Sequence, residues 1–296
     1  MEMKIFLLIL LTAFPVFGQL NIGNPFFTVG LLRSSGGYTV ENDPLFPLEF
    51  ALYPEDIRTN SSVQQWPMRY NPVVLSNDSI LTTNWAVKSD SGLNGKPTAN
   101  FYGSATASPY FHGGLTSAAP FQITMVVAFT NNSWSSGRTM VWDMGPLSSL
   151  NRHVLYHTAA DPLGNFQNFN LTSSEKSGQV ITHSTIATPT NTWMILDYIY
   201  VPSTDPYSGL PTDSTYVYTN GVAAATGIVA RPSSRAGLTI MARYALNTFN
   251  AGSVARMYGW TNNLPGTNTL ARSNVFWAIT NEFKLTWAAD TNAPPN

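Results

Sequence analysis

The sequence predicts an all-β sandwich, and three segments carry that prediction. Residues 193–201 are apolar on both faces apart from Asp197, which is typical of a central strand. Residues 215–219 run into Asn220-Gly221, a pair that favours a two-residue hairpin turn. Residues 120–130 alternate as a strand with one buried face does, and the residues expected on that face are Phe121, Ile123, Met125, Val127 and Phe129.

Weaker patterns complete the expected domain. Residues 238–244 and 254–260 predict two further strands, joined by a loop. Residues 273–283 predict a short C-terminal helix, because Val275, Ile279 and Phe283 fall on one side of it. We therefore expect one sandwich domain over residues 49–288. Residues 289–296, rich in Pro and Asn, are expected to form a flexible tail.

The first residues resemble an export signal. Lys4 is followed by an apolar run that is too short to span a bilayer, and Val16 and Gly18 precede a plausible cleavage site before Gln19. We expect residues 1–18 to be a signal peptide and residues 19–48 to be an extension that packs on the domain. The mature protein is then secreted, or lies at the cell surface or in the periplasm if the source is bacterial.

Composition excludes several classes of function. Only 10% of the 296 residues are charged and the net charge is −1, so there is no electrostatic footprint for nucleic acid. No second long apolar segment predicts membrane insertion. The chain has no cysteine, which excludes disulfides, thiol catalysis and cysteine-dependent metal sites. A domain of this length can bury enough apolar surface to fold without disulfides.

The order of the motifs resembles the concanavalin A-like lectin/glucanase superfamily, in its laminin G-like, pentraxin-related branch. Residues 93–104 resemble the branch's opening "nGkp-v-F-G" segment, and residues 216–227 resemble its "YvNGv" hairpin. Residues 238–243 resemble "l-iGar", and residues 249–262 its closing strand. The resemblance implies a jelly roll of two antiparallel sheets, one convex and one concave, with loops at the rims. Two positions depart from the pattern, because Met241 replaces a glycine and Arg256 replaces an acidic residue.

The catalytic motif of the superfamily is missing. Its laminarinase-like hydrolases carry an E-x-D-x-x-E strand that places carboxylates on one face. The glutamates here, of which Glu55 and Glu282 are two, stand in no such pattern. We therefore expect a protein that is not an enzyme, although a hydrolase or lyase with an atypical site remains an alternative.

Aromatic and histidine residues are the candidate ligand contacts. Tryptophan and tyrosine rings stack on sugar rings, and both occur here in loops or at strand ends. Two histidines, four residues apart, would share one face of a strand. The candidates are Trp134, Tyr207, Trp260, His153 and His157.

Metal and glycan sites stay open at this stage. The superfamily commonly holds calcium through loop carboxylates, for which Asp143 and Asp161 are candidates, but turn or cap roles explain them equally well. The sequons, which are glycan acceptors if the source is eukaryotic, begin at Asn60, Asn77, Asn131 and Asn170.

The sequence therefore favours a secreted, non-catalytic binding module. Its expected partner is a glycan or another component of a cell surface or matrix, as in adhesion or carbohydrate binding. A structural subunit of an extracellular layer, filament or matrix is the alternative, because a surface of low charge would suit packing of copies into a homo-oligomer.

Overall fold

A computed structural model of the chain describes residues 38–77, 85–102, 109–115, 121–130, 138–144, 152–159, 169–176, 179–180, 191–202, 204, 206–209, 213–229, 237–242 and 250–285. The strands are β1 (Phe50–Leu52), β2 (Arg58–Thr59), β3 (Gln64–Pro67), β4 (Val74–Asn77), β5 (Val87–Leu93), β6 (Lys96–Phe101), β7 (Phe111–Gly113), β8 (Phe121–Phe129), β9 (Arg138–Met144), β10 (Arg152–Ala159), β11 (Phe169–Lys176), β12 (Gln179–Val180), β13 (Met194–Val201), β14 (Asp213–Thr219), β15 (Val222–Val229), β16 (Leu238–Ile240) and β17 (Gly252–Thr261). Helix α1 spans Thr269–Phe283.

The strands form two antiparallel sheets. The first sheet has eight strands in the order β15-β14-β13-β8-β17-β6-β5, with β1 also paired to β17. The second sheet has nine strands in the order β12-β11-β10-β9-β16-β7-β4-β3-β2. Some neighbours, such as β8 with β17 and β9 with β16, are distant along the chain because the chain crosses between the two sheets. The predicted all-β jelly-roll sandwich with a short C-terminal helix is confirmed.

The core lies between the two sheets. The predicted inward face of β8 is confirmed, because its five alternate residues from Phe121 to Phe129 all belong to the main apolar cluster. Trp142 and Tyr198 pack edge to face there, with ring centroids 4.9 Å apart. Aromatic pairs of this kind add to the apolar burial that stabilises a sandwich.

Two turns explain residues that the sequence singled out. Asn220 and Gly221 both have positive φ, of 53° and 81°, so the predicted hairpin joins β14 to β15. Met241 also has a positive φ, of 60°, in the place where the resembled family has a glycine. Its backbone carries cross-strand bonds on both sides, since its N–H donates to Val141 and its carbonyl accepts from Asn250. The backbone conformation that favours glycine is thus kept, with a buried methionine in it.

Helix α1 begins earlier than the predicted residue 273 because Asn268 caps it. The Asn268 side chain accepts a hydrogen bond from the Ala271 N–H, which satisfies one of the unpaired donors of the first turn. The helix ends at Phe283, as predicted, and Lys284 follows with a φ of 49°. Strand β16 ends at Ile240, before the predicted residue 244.

Residues that precede the predicted domain boundary belong with the sandwich. The unit that contains both sheets begins at Val40, and Glu41 accepts a hydrogen bond from the Tyr53 hydroxyl. Glu49 donates its N–H to the Gly259 carbonyl, which extends the pairing of β1 with β17.

Candidate functional site

The outer face of the second sheet carries a line of polar residues that crosses six strands. Strand register places each of them directly opposite the next, from the β2 edge towards the middle of the sheet. We call this set the cross-strand row, and its members in order are Arg58, Gln65, Ser76, His112, Thr239 and Asp143.

Alternation along each strand points this row away from the core. Trp66, Leu75 and Phe111 precede or follow members of the row, and all three belong to the inter-sheet cluster. The same holds for Leu238 and Ile240 on either side of Thr239. Since successive side chains of a strand point to opposite faces, the row lies on the outer face.

Gly113 allows the two central members of the row to meet. A Cβ atom at this position would lie 2.8 Å from Leu75 Cδ2 and 3.0 Å from the Val74 carbonyl oxygen. A side chain here would press on Leu75 and on the β4 backbone, so the glycine favours this close approach of β7 to β4. The result is the pairing of Ser76 with His112, which joins the β2–β4 part of the sheet to its centre.

Exposure falls along the row. Arg58 is exposed, and the next three members, Gln65, Ser76 and His112, are half-buried. Thr239 and Asp143 are fully buried. The Tyr110 ring lies beside the His112 imidazole, with centroids 5.7 Å apart, where exposure ends. The row thus offers a guanidinium, an amide and a hydroxyl in one line, and it leads to the His112 imidazole, whose Nε2 is enclosed.

The outer face of the first sheet is different because helix α1 packs on it. The Arg272 guanidinium lies 4.2 Å from the centre of the Tyr218 ring on β14. Beneath the helix, the buried Asp197 carboxylate accepts hydrogen bonds from Thr124 Oγ1 at 2.6 Å and from Gln122 Nε2 at 2.9 Å. Burial raises the pKa of Asp197 to about 6, although these bonds and Arg272 oppose the shift.

Arg256 is the centre of a second polar cluster, at the other end of the helix. Its side chain is 5% exposed, and its Nη2 donates to Glu282 Oε1 at 2.7 Å. Its Nη1 donates to Glu55 Oε1 at 3.3 Å. The guanidinium carbon also lies 3.8 Å from the centre of the Tyr53 ring. Arg256 therefore connects β17, the turn Pro54–Asp56 and α1, which explains the basic residue in the closing strand.

Two tyrosines of this cluster are held as neutral phenols. The Tyr53 hydroxyl donates to Glu41, and burial together with this bond raises the pKa of Tyr53 above its ordinary value. Burial, followed by the nearby Glu282, raises the pKa of Tyr258 in the same direction. Such phenols are poor nucleophiles and poor general bases, so the cluster is suited to holding the fold together.

The predicted aromatic ligand contacts differ in their exposure to solvent. Tyr207 is 98% exposed and stays a candidate ligand contact. Trp260 is 1% exposed and its indole N–H donates to the Phe46 carbonyl at 3.1 Å, so the prediction that it binds a ligand is wrong. The outward-pointing side of β17 is covered at this point, which a strand pattern alone does not reveal. Trp134 lies outside the described residues.

The predicted histidine pair is not a surface pair. His153 is fully buried in the inter-sheet core, where its Nδ1 lies 3.1 Å from the Tyr198 hydroxyl and its ring packs against Tyr200. A role for His153 in contacting an external ligand is therefore wrong. The pairing register of β10 shifts between His153 and Tyr156. The backbone of His157 pairs with Leu171, but its side chain lies outside the described part.

The structure describes one of the two metal candidates. Asp143 lies at the end of β9, as expected, and it is fully buried. Asp161 lies outside the described residues. In the part of the chain that the structure describes, no group of three or more histidine or acidic side chains is placed to hold a metal ion. Calcium binding stays a prediction.

Only one sequon that the structure describes fully has an exposed acceptor. Asn60 lies in an exposed loop, where its Oδ1 accepts from the N–H groups of Ser62 and Val63. Asn77 is fully buried at the end of β4, so the prediction that it is a glycan acceptor is wrong. Asn170 lies in β11 and its side chain lies outside the described part, as does all of Asn131.

Comparisons with known proteins concern the fold alone. No family model matches the chain, and no curated protein is similar to it in sequence. Among solved structures, one neighbour is domain 4 of AbnA, an extracellular arabinanase from Geobacillus stearothermophilus, in complex with arabinotriose. The two chains are 14% identical in sequence, and their superposition has a TM-score of 0.43. The matched region covers 62% of this chain and 79% of the arabinanase domain.

Two further neighbours carry names of carbohydrate-binding domains. The carbohydrate binding module CBM66 from Bacillus subtilis is 10% identical, with a TM-score of 0.33 over 60% of this chain and 89% of its own. The Emp47p carbohydrate recognition domain is 12% identical, with a TM-score of 0.36 over 72% of this chain and 96% of that domain.

Across the described residues, no helix has the length and apolar character needed to cross a membrane.

Proposed function

We propose that this protein is an extracellular, non-catalytic module that binds glycans through the outer face of its second sheet. The observation that carries the proposal is the cross-strand row, in particular its half-buried members Gln65, Ser76 and His112. They lie in register on three neighbouring strands of one face.

The chemistry of the accessible row suits a polyhydroxylated ligand. A sugar hydroxyl both donates and accepts hydrogen bonds, and so do an amide group and a hydroxyl group. Ligand sites place a few such groups to fix orientation. The Tyr110 ring, which is 8% exposed, packs beside His112 and closes the accessible part at this end.

The other polar clusters support binding over catalysis. The carboxylates of Glu55 and Glu282 hold Arg256, and the phenols of Tyr53 and Tyr258 stay protonated. The Asp197 carboxylate lies under helix α1 and is held by two side chains of β8. Each group therefore has a structural role that its contacts explain. The apolar run after Lys4 supports export.

A glycan array probed with three proteins tests the proposal. The wild type is compared with a Gln65→Ala/His112→Ala double variant and with Lys88→Ala, an exposed substitution on the first sheet. We expect the wild type and Lys88→Ala to bind the same glycans, and the double variant to bind them at least about ten-fold more weakly. Absence of glycan binding by the wild type would overturn the proposal, as would equal binding by all three proteins.

A further inference from the structure

The cross-strand row has a direction as well as a composition. Its members are paired across strands and are not successive along one strand, so the line runs perpendicular to the strands. We infer that the site takes an extended segment of a linear, neutral oligosaccharide lying across β2, β3, β4 and β7, and not a single terminal sugar. This inference rests on the proposed function and deepens it.

The length of the accessible line supports several sugar rings. Adjacent strands lie about 4.8 Å apart, so four strands place Arg58 and His112 roughly 14 Å from each other. A single sugar ring is too small to contact both ends of such a line. A site for one terminal sugar would need its polar groups to converge on one point, as in a pocket, and these are spread at the regular spacing of the strands.

The charge of the line supports a neutral chain. Of the four accessible members, only Arg58 carries a fixed charge, and it stands at the outer edge of the sheet. The fully buried Asp143 follows two strands beyond His112 on the same face. A polyanionic chain would meet one cation at the edge and a carboxylate residue beyond the other end, so charge does not favour it along the row.

The position of each end predicts which substitutions depend on ligand length. His112 lies where exposure stops, beside Tyr110 and with its Nε2 enclosed, so we expect the bound segment to be seated against this closed end whatever its length. Arg58 lies three strands away and contacts only segments long enough to reach the edge. Loss of the Arg58 side chain should therefore weaken long ligands selectively, which a role in folding would not do.

The experiment is calorimetric titration of the wild type with cello-, laminari-, malto-, manno- and arabino-oligosaccharides, each from the monosaccharide to the hexasaccharide. In the series that binds, we expect affinity to rise at least about ten-fold from the monosaccharide to the tetrasaccharide and then to stay constant. His112→Ala should weaken every length. Arg58→Ala should weaken the tetrasaccharide and leave the disaccharide unchanged.

Three results would overturn the inference. A monosaccharide that binds as tightly as the tetrasaccharide would show a single-sugar site, and the proposed glycan function would stand. An Arg58→Ala variant that lowers affinity equally at every length would contradict the extended placement in the same way. No binding in any series, and none on the glycan array, would overturn the function and the inference together.

Discussion

Nη2 of Arg256 lies 2.7 Å from Oε1 of Glu282, and this contact joins the closing strand of the first sheet to the last turn of the C-terminal helix. The same guanidinium reaches Glu55, so one buried cation holds two carboxylates. Removal of that cation leaves Glu282 beside the buried phenol of Tyr258, with which it is hydrogen-bonded, and takes one of its cationic partners from Glu55. The energetic role of Arg256 is therefore to compensate charge that the fold places together.

Arg256→Ala should lower the free energy of unfolding by about 3 kcal/mol, because an uncompensated buried charge is costly. Denaturant titration followed by tryptophan fluorescence measures the change. Lys88→Ala is the matched control, since it removes an exposed pair with Asp90, and it should change stability by less than about 0.5 kcal/mol. Equal effects of the two substitutions would contradict the structural role of Arg256.

Asp197 should make stability depend on pH in a defined window. Its folded pKa of about 6 lies above the ordinary value of 3.8, so the native state binds the proton more tightly than the unfolded chain. The stability that protonation provides is complete below pH 3.8 and is lost as the pH rises through about 6. The loss amounts to about 3 kcal/mol at most.

Asp197→Asn should remove this pH dependence, because the amide oxygen can still accept the bonds from Thr124 and Gln122. The variant should be more stable than the wild type at neutral pH and equal to it near pH 3.8. Unfolding curves of both proteins across that interval measure the difference, with the exposed Asp90→Asn as control. A wild type whose stability is flat between these pH values would show that Asp197 titrates normally.

Gly113→Ala should weaken glycan binding at a small cost in stability. The added Cβ would press on Leu75 and on the Val74 carbonyl, so β7 must shift relative to β4 at a cost of about 1–2 kcal/mol. That shift misaligns His112 with Ser76 and should weaken glycan binding. Gly114→Ala is the control, because its Cβ meets nothing within 4 Å. Unchanged affinity in a folded Gly113→Ala protein would argue against the Ser76–His112 alignment as part of the site.

Two aromatic side chains, one buried and one exposed, test where the structure places them. Trp260→Ala should cost about 4 kcal/mol, since it removes a buried indole and its bond to Phe46. Tyr207→Ala should change stability by less than about 0.5 kcal/mol, because the ring is almost fully exposed. Thermal and denaturant unfolding of both variants measures this contrast. A reversed order of the two effects would contradict the placement of these rings.

Local sequence patterns predict the strands well, because the burial of one face of a strand determines which of its own residues are apolar. Alternation over residues 121–129 identifies the inward face of β8, and Asn220-Gly221 identifies the turn after β14 without knowledge of any partner. The limits appear where a distant segment covers a residue. Trp260 looks like a strand-end residue until Phe46 and the helix side of the sheet are considered, and Arg256 meets Glu55, which lies 201 residues away along the chain.

The candidate site is less predictable for the same reason. Its members come from six strands, and only the sheet order and register bring Ser76 opposite His112. Each contributes one polar residue beside apolar neighbours, which is the ordinary pattern of a half-buried strand. Aromatic residues in polar segments, such as Trp134, therefore stand out in the sequence, and His112 does not. The glycine at 113, next to an isolated histidine, was the one local signal of a close strand approach.

Amide hydrogen exchange with and without saturating oligosaccharide from the series that binds shows which face of the protein holds the glycan. We expect slower exchange in β3, β4 and β7, over Gln64–Pro67, Val74–Asn77 and Phe111–Gly113, with little change in helix α1. Protection confined to the loop that contains Tyr207, or to the helix-covered face of the first sheet, would contradict this expectation.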